Sequence, residues 1–244
     1  MARIFITGSA DGLGQMAAAS LIKDRHEVFL HARSSARGKD AQKSVPNAEG
    51  ILFADLSDAS ETRRLADELN ALGRFDTIIH NAGVYNVSDK LVMAVNTLAP
   101  YMLTCLVKKP ARLIYLSSDM HMHGDPKLES LSRFANGITY SDSKLYVVML
   151  AMAVARKWPM VYSNAVDPGW VPTKMGGSGA PDNLAKGSET QAWLAVSEDD
   201  HAKVSGRHFY HKKESSFRRE AGDVEIQERL LAQCAKITGV KFPD

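Results

Sequence analysis

The stretch TGSADGLG, residues 7–14, places three glycines within seven residues near the start of the chain. Before it, RIFIT (3–7) predicts a buried strand, and after it residues 13–23 carry apolar side chains at helical spacing. Glycines let a backbone approach a bound anion closely, and a helix N-terminus attracts negative charge. The loop is therefore either a nucleotide-phosphate site or an ordinary turn between a strand and a helix.

The same alternation of strand and helix continues along the chain. Further strands are predicted at 27–32, 50–55, 75–83, 111–118, 160–169 and 206–211, and further helices at 59–72, 96–109, 141–158, 188–198 and 224–237. Buried strands separated by helices predict an α/β fold, a Rossmann-like doubly wound parallel sheet of about seven strands with helices on both faces. We expect a single domain over 1–244, in which 34–50 and 176–187 are loops.

Composition excludes several classes of protein. The chain has 244 residues, 45% hydrophobic residues and a formal net charge of +2, so no charge bias points to nucleic acid or membranes. No apolar run reaches the length of a membrane span. The basic run 208–219 is predicted to be a surface strand and loop. With Cys105 and Cys234 expected as buried free thiols, we expect a cytoplasmic protein without nucleic-acid or membrane partners.

Four further motifs follow the glycine-rich loop in a fixed order. They are HNAG (80–83), VN (95–96), LSS (116–118) and YSDSK (140–144). Together with TGxxxGxG they resemble the short-chain dehydrogenase/reductase family over residues 1 to about 210. The resemblance implies an oxidoreductase that transfers a hydride between a nicotinamide cofactor and a carbonyl or alcohol substrate.

The candidate catalytic residues come from these motifs. Tyr140 and Lys144 lie one helical turn apart on one face, and a nearby ammonium is expected to lower the pKa of the phenol. The resemblance implies that Tyr140 is the general acid and base and that Lys144 holds the nicotinamide ribose. It also implies that Ser118 polarises the substrate, with Ser117 as the alternative. Asn96 matches the residue of a proton relay, with a helix N-cap as the alternative.

The resemblance also implies a set of cofactor-binding residues. They are Thr7, Gly8, Ser9, Gly12, Leu13, Gly14, Arg33, Asp55, Leu56, Asn81, Ala82, Gly83, Tyr140, Lys144, Pro168, Gly169, Val171 and Thr173. Asp55 has an alternative role as the cap of the 59–72 helix. Because Arg33, and no acidic residue, ends the second strand, the sequence favours NADP(H) over NAD(H). Asp11 is expected to point to solvent.

An insertion at about 119–139 follows the candidate catalytic serine. In this respect the chain resembles the retinol-dehydrogenase-like branch of the family, without implying a retinoid substrate. The insertion and the loop at about 170–187 are expected to edge the substrate pocket, and an alternative is that these side chains only pack the insertion. The candidate pocket residues are Tyr85, Met120, His121, Trp170 and Met175. HMH (121–123) lacks a third metal ligand, so no metal is expected.

Two functions of different classes remain open. One is an NADP(H)-dependent reductase or dehydrogenase acting on a small-molecule carbonyl or alcohol. The other is a catalytically silent NADP-binding sensor or regulator with the same fold. The presence of Asn96, Ser118, Tyr140 and Lys144 together favours the enzyme. The sequence leaves the choice between a monomer and a homodimer open.

Overall fold

The computed structural model describes residues 1–132 and 137–243. Within these residues eight strands form one sheet in the order β3-β2-β1-β4-β5-β6-β7-β8. The strands are β1 (Arg3–Ile6), β2 (Glu27–Ala32), β3 (Gly50–Phe53), β4 (Thr77–His80), β5 (Arg112–Leu116), β6 (Tyr162–Asp167), β7 (Arg207–Tyr210) and β8 (Lys213–Ser215). All neighbouring pairs are parallel except β7 and β8, which are antiparallel. The predicted α/β fold is confirmed, with β8 as an added edge strand.

Helices cover both faces of the sheet. They are α1 (Gly12–Lys23), α2 (Ser35–Ser44), α3 (Ala59–Ala71), α4 (Asp89–Met93), α5 (Ala99–Leu106), α6 (Glu129–Ser132), α7 (Tyr140–Lys157), α8 (Leu184–Val196) and α9 (Val224–Thr238). No helix in the described part of the chain is long and apolar enough to cross a membrane.

Successive residues of β1 show how the two cores arise. The side chain of Phe5 points into a core shared with α3, α5, α7 and α9. Its neighbours Ile4 and Ile6 point to the opposite face, into a core shared with α1, α2 and α8. All three side chains are fully buried. Because side chains alternate along a strand, one apolar strand supplies both layers, and this requires helices on both faces.

The prediction of a loop at 34–50 is wrong for most of these residues, because α2 occupies residues 35–44. Its sequence, SARGKDAQKS, has no apolar stripe. The helix begins where the Ser34 hydroxyl accepts a hydrogen bond from the Arg37 N–H, and only Gly38 and Ala41 are buried within it. Short side chains at these two positions let the helix pack closely, a signal that hydrophobic periodicity does not contain.

The helix predicted to open near Asn96 begins earlier. α4 and α5 are joined by one π-helical turn, Ala94–Leu98, so Asn96 lies in the middle of a continuous helical segment. Pro100 has no N–H, so it cannot donate the α-helical bond to the carbonyl of Asn96. A widened turn at this point avoids that conflict. The N-cap alternative for Asn96 is therefore wrong.

Part of the insertion connects to the start of α7. Residues 119–123 form a 3₁₀ turn, α6 follows, and residues 133–136 of the predicted insertion lie outside the described residues. The Asp142 carboxylate accepts hydrogen bonds from the N–H groups of Asp125 (2.6 Å) and Thr139 (2.8 Å). The Thr139 hydroxyl in turn accepts from the Asp142 N–H, which completes a capping box. Asp142 thus ties the insertion to the first turn of α7.

Replacement of Asp142 by Ala is expected to destabilise the protein. Two N–H groups lose their carboxylate acceptor in a buried site, and this should cost about 1–3 kcal/mol in the free energy of unfolding. Denaturant-induced unfolding measures the change. Asp58, the exposed cap of α3, provides the control, and Asp58→Ala should cost less because water can replace its bonds. Equal losses in the two variants would contradict this account.

Candidate active site

The order of the strands in the sheet places a cleft at their carboxyl ends. From β1 the chain runs outward to β2 and β3, and then returns to β4 on the other side of β1. In such sheets ligands bind outside the carboxyl ends of the strands where the order reverses. A cleft of about 630 Å³ lies there. Its walls include residues from the segment that follows each of the six strands β1 to β6.

The glycine-rich loop packs directly on the NAG turn. Gly8 has a positive φ of 63°, and a Cβ at this position would lie 2.8 Å from the Cα of Ala82. A Cβ on Gly14 would collide with the Asn81 side chain. The Asn81 amide donates to the carbonyls of Thr7 (2.9 Å) and Gly8 (3.1 Å), and the Ala82 N–H donates to the Thr7 hydroxyl (3.0 Å). The loop can therefore approach the turn only with glycine at these two positions.

Most predicted cofactor residues line the cleft. Those that do are Gly8, Gly12, Leu13, Arg33, Asp55, Leu56, Asn81, Ala82, Gly83, Tyr140, Lys144, Pro168 and Thr173. The others, Thr7, Ser9, Gly14, Gly169 and Val171, are not among its lining residues. Thr7 and Ser9 are buried beneath the loop, where the Ser9 hydroxyl donates to the Ile6 carbonyl and accepts from the His31 N–H. Their side chains support the loop from below.

Tyr140 and Lys144 both line the cleft, one turn apart at the start of α7. The Lys144 Nζ lies 5.4 Å from the centre of the Tyr140 ring and donates a hydrogen bond to the Leu116 carbonyl (2.8 Å). The ring of Tyr85 packs edge-on against Tyr140, with 4.9 Å between ring centres. The two residues of the YxxxK motif therefore share one face, as their spacing predicts.

The ionisation of this pair differs from the expectation. Burial raises the pKa of the Tyr140 phenol above its usual value, and nearby Asp167 adds to this effect. The pKa of Lys144 is lowered to about 8 by burial, although Asp167 opposes the shift. The expected lowering of the Tyr140 pKa by Lys144 is therefore wrong for this structure, because desolvation of the phenol, reinforced by Asp167, raises that pKa. The Tyr140 phenol therefore keeps its proton at neutral pH.

The two candidate serines follow β5 and differ in their surroundings. Ser117 is buried, and although it contributes to the cleft wall its hydroxyl donates to the Lys144 carbonyl (3.0 Å). Ser118 is half-buried and is not among the lining residues. Its hydroxyl donates to the Asp119 carboxylate (3.0 Å) and accepts from the Met120 N–H (3.3 Å). The hydroxyl of Ser118 has the more exposed partners and can exchange them more readily.

Asn96 lies behind the cleft wall, and its side-chain amide bonds to two other segments of the chain. Its oxygen accepts from the Val84 N–H (2.8 Å), and its nitrogen donates to the Val84 carbonyl (3.0 Å) and to the Ser143 hydroxyl (3.0 Å). The side chain fixes the segment after the NAG turn against α7. Both N–H groups of the amide and one acceptor position of its oxygen are therefore occupied within the protein.

Acidic and basic side chains meet at the mouth of the cleft. The Asp11 carboxylate accepts from Arg37 (2.6 Å) and from Lys174 (3.1 Å), so the expectation that it points to solvent is wrong. Although Asp11 is the N-cap of α1, its side chain does not cap the helix.

Asp55 accepts hydrogen bonds from the N–H and the hydroxyl of Ser57, and these two bonds lower the pKa of its carboxyl. Asp58, and not Asp55, caps α3.

The candidate pocket residues separate into two groups. Met175 lines the cleft, and Tyr85 lines a depression that adjoins it. Met120, His121 and Trp170 line neither. His121 is buried, its Nδ1 donates to the Ser118 carbonyl (2.6 Å), and its Nε2 accepts from the Arg218 N–H (3.3 Å). The alternative role, packing of the insertion on the fold, accounts for His121. In the described residues no group of three potential ligands could hold a metal ion.

Two residues that line the cleft were not predicted from the sequence. Lys174 lies in the loop after β6, and nothing in the sequence distinguishes it from the other basic residues of the chain. His31 is a polar residue inside the otherwise apolar strand EVFLHA, and a buried titratable group at the end of a strand is a recognisable signal.

Comparison with known proteins supports one family. The model of the family described as short chain dehydrogenase matches residues 2–183. An uncharacterized oxidoreductase of Emericella nidulans is 46% identical, covering 100% of this chain and 99% of that protein. Human retinol dehydrogenase 13 is 28% identical over 98% of this chain and 85% of its own, which confirms a likeness to that branch.

Among solved structures, a putatitve short chain dehydrogenase from Shigella flexneri complexed with NADP superposes with a TM-score of 0.69. It is 22% identical and covers 86% of this chain and 97% of that chain, so it shows the shared fold alone. The glycine-rich loop, the NAG turn and the YxxxK pair lie at one cleft on this fold, and the family model spans them. The chain belongs to the short-chain dehydrogenase family of oxidoreductases.

Proposed function

We propose that the protein is an NADP(H)-dependent reductase of a small carbonyl substrate, with Tyr140 as the general acid. The observation that carries this proposal is the position of the Tyr140 phenol, which is half-buried at the cleft wall with a raised pKa and with Lys144 one turn away. A phenol that keeps its proton at neutral pH can donate it to a carbonyl oxygen. The whole chain is expected to act as one domain.

The residues of the cleft suit a nicotinamide dinucleotide. Gly8 and Gly12 give the loop positive φ angles, and a Cβ on Gly12 would meet nothing within 4 Å, so the backbone is open to a ligand there. The N-terminus of α1, with its unpaired N–H groups, would hold the pyrophosphate. Arg33 and Arg37 line the cleft after β2 and would bind a 2′-phosphate.

In the proposed mechanism, the cofactor when bound supplies the hydride that is added to the carbonyl carbon. Tyr140 donates its hydroxyl proton to the carbonyl oxygen, and Ser118 stabilises the charge that develops there. An ammonium has three N–H donors, so Lys144 can hold the Leu116 carbonyl and still bind the ribose hydroxyls. Val84 and Tyr85, which follow the NAG turn, would cover the reacting groups from the adjoining depression.

Replacement of Tyr140 by Phe is the first test. We expect turnover of NADPH with a panel of aldehydes and ketones to fall about 10²–10⁴-fold, because the proton donor is lost. The dissociation constant for NADPH should change little. Tyr146→Phe is the matched control, because Tyr146 lies on the same helix and its buried hydroxyl has no hydrogen-bond partner in the described residues.

Two outcomes would contradict the proposal. Undiminished turnover in Tyr140→Phe would exclude this residue as the acid. Wild-type protein that binds NADPH tightly but reduces no carbonyl of a broad panel would favour the sensor or regulator function.

Selectivity for the 2′-phosphate has a separate test at Arg33. This exposed side chain lines the cleft after β2. Its replacement by Ala should weaken NADPH binding about tenfold, the loss of one charge-assisted contact, and leave NADH binding unchanged. Fluorescence titration with each cofactor at two salt concentrations measures both effects, and the difference should shrink at the higher salt. An equal loss for NADPH and NADH would refute a phosphate-binding role.

Asp11 should oppose the same phosphate, because it pairs with Arg37 and adds a negative charge at the cleft mouth. We expect Asp11→Asn to tighten NADPH binding about two- to fivefold relative to NADH, consistent with a partly exposed pair. Asp40→Asn makes the same change of charge at a residue of α2 that does not line the cleft, and should change neither affinity. Unchanged or weaker NADPH binding in Asp11→Asn would contradict this prediction.

A further inference from the structure

One buried histidine joins three segments that line the cofactor cleft. His31, near the end of β2, is 3% exposed and itself contributes to the cleft lining. Its ring Nδ1 lies 3.0 Å from the Gly8 nitrogen in the loop after β1. Its Nε2 lies 3.0 Å from the Ala54 carbonyl oxygen in the segment after β3. The imidazole therefore bridges the carboxyl ends of three adjacent strands.

The partners of the ring fix its chemical form. The backbone N–H of Gly8 can only donate, so Nδ1 must be unprotonated and accept. The carbonyl of Ala54 can only accept, so Nε2 must carry the proton. His31 is therefore neutral and in a single tautomer. Burial agrees with this form, since it lowers the pKa of His31 to about 4.

The backbone around His31 reinforces the same connection. The His31 N–H donates to the Ser9 hydroxyl (2.9 Å), and the Ser9 N–H donates to the His31 carbonyl (3.2 Å). The loop is therefore attached to β2 by three hydrogen bonds. Only the bond donated by the Gly8 N–H involves the imidazole ring, and Gly8 has a positive φ of 63°.

We propose that His31 is a positioning residue for the cofactor, and that its neutral imidazole sets the glycine-rich loop and the Ala54–Asp55 segment at the spacing that a dinucleotide needs. This inference rests on the proposed function. His31 touches the reacting centre at no point and acts through Gly8 and Ala54. Its loss should therefore change cofactor affinity and leave the chemical step intact.

Three substitutions separate the two ring bonds. The side-chain oxygen of His31→Asn occupies a position close to that of Nδ1 and can accept from the Gly8 N–H. The side-chain nitrogen of His31→Gln occupies a position close to that of Nε2 and can donate to Ala54. His31→Leu keeps neither bond. We expect NADPH binding to weaken about tenfold in the Leu and Gln variants, and less than threefold in the Asn variant. The rate at saturating NADPH should stay within twofold of wild type.

His80 provides the matched control. It is the same residue type, is also 3% exposed, and lies near the end of β4, where its ring stacks on Tyr115 and bonds to Thr104. It is not among the residues that line the cleft. His80→Leu should therefore lower the thermal midpoint as His31→Leu does, without weakening NADPH binding.

The results separate this inference from the proposed function. Wild-type protein that binds neither NADPH nor NADH would refute the proposed function. If the wild type binds NADPH, equal affinity in the His31 variants, or an equal loss in His80→Leu, would overturn the role of His31. Nitrogen NMR of the wild-type imidazole tests the geometry without any cofactor, and even if a variant fails to fold. A protonated Nδ1 at neutral pH would overturn the inference.

Discussion

The contact between the glycine-rich loop and the NAG turn is the constraint on which the site depends. These segments follow β1 and β4, the two strands between which the direction of chain progression reverses. Thr7 and Asn81 join them through partly buried hydrogen bonds, and Gly8 allows their backbones to meet. A change in this contact would displace the two halves of the cleft relative to each other, so the shape of the cleft depends on these few atoms.

The apolar strands and the glycine-rich turns between strands and helices made most of the fold predictable from the sequence. The run before Gly8 is apolar on both faces, which requires helices above and below the sheet, and the spacing of Tyr140 and Lys144 requires a shared helical face. What the sequence could not predict depends on contacts between distant segments. α2 has no apolar stripe, and the partners of Asp11 come from two distant segments, α2 itself and the loop after β6.

In the candidate site, too, the sequence identifies the residues but does not predict the environment in which the fold places them. The sequence identifies Tyr140, but the sign of its pKa shift depends on how much water the folded chain removes and on Asp167, which lies far along the sequence. His121 stands beside the serine pair, yet the fold turns its ring toward Arg218 and His208 of β7. Side chains with strong local roles are predictable, whereas those that respond to the tertiary environment are not.

The burial of Lys144 couples folding to the release of a proton. Its pKa is 10.5 in an ordinary environment and about 8 in the folded chain, so between these values the unfolded chain holds a proton that the folded chain has released. Stability should therefore rise with pH across this window, and below about pH 8 the folded state carries the full cost of a desolvated ammonium. The fold retains a cation at the cleft wall at the expense of its own stability, and the rest of the core must offset that cost.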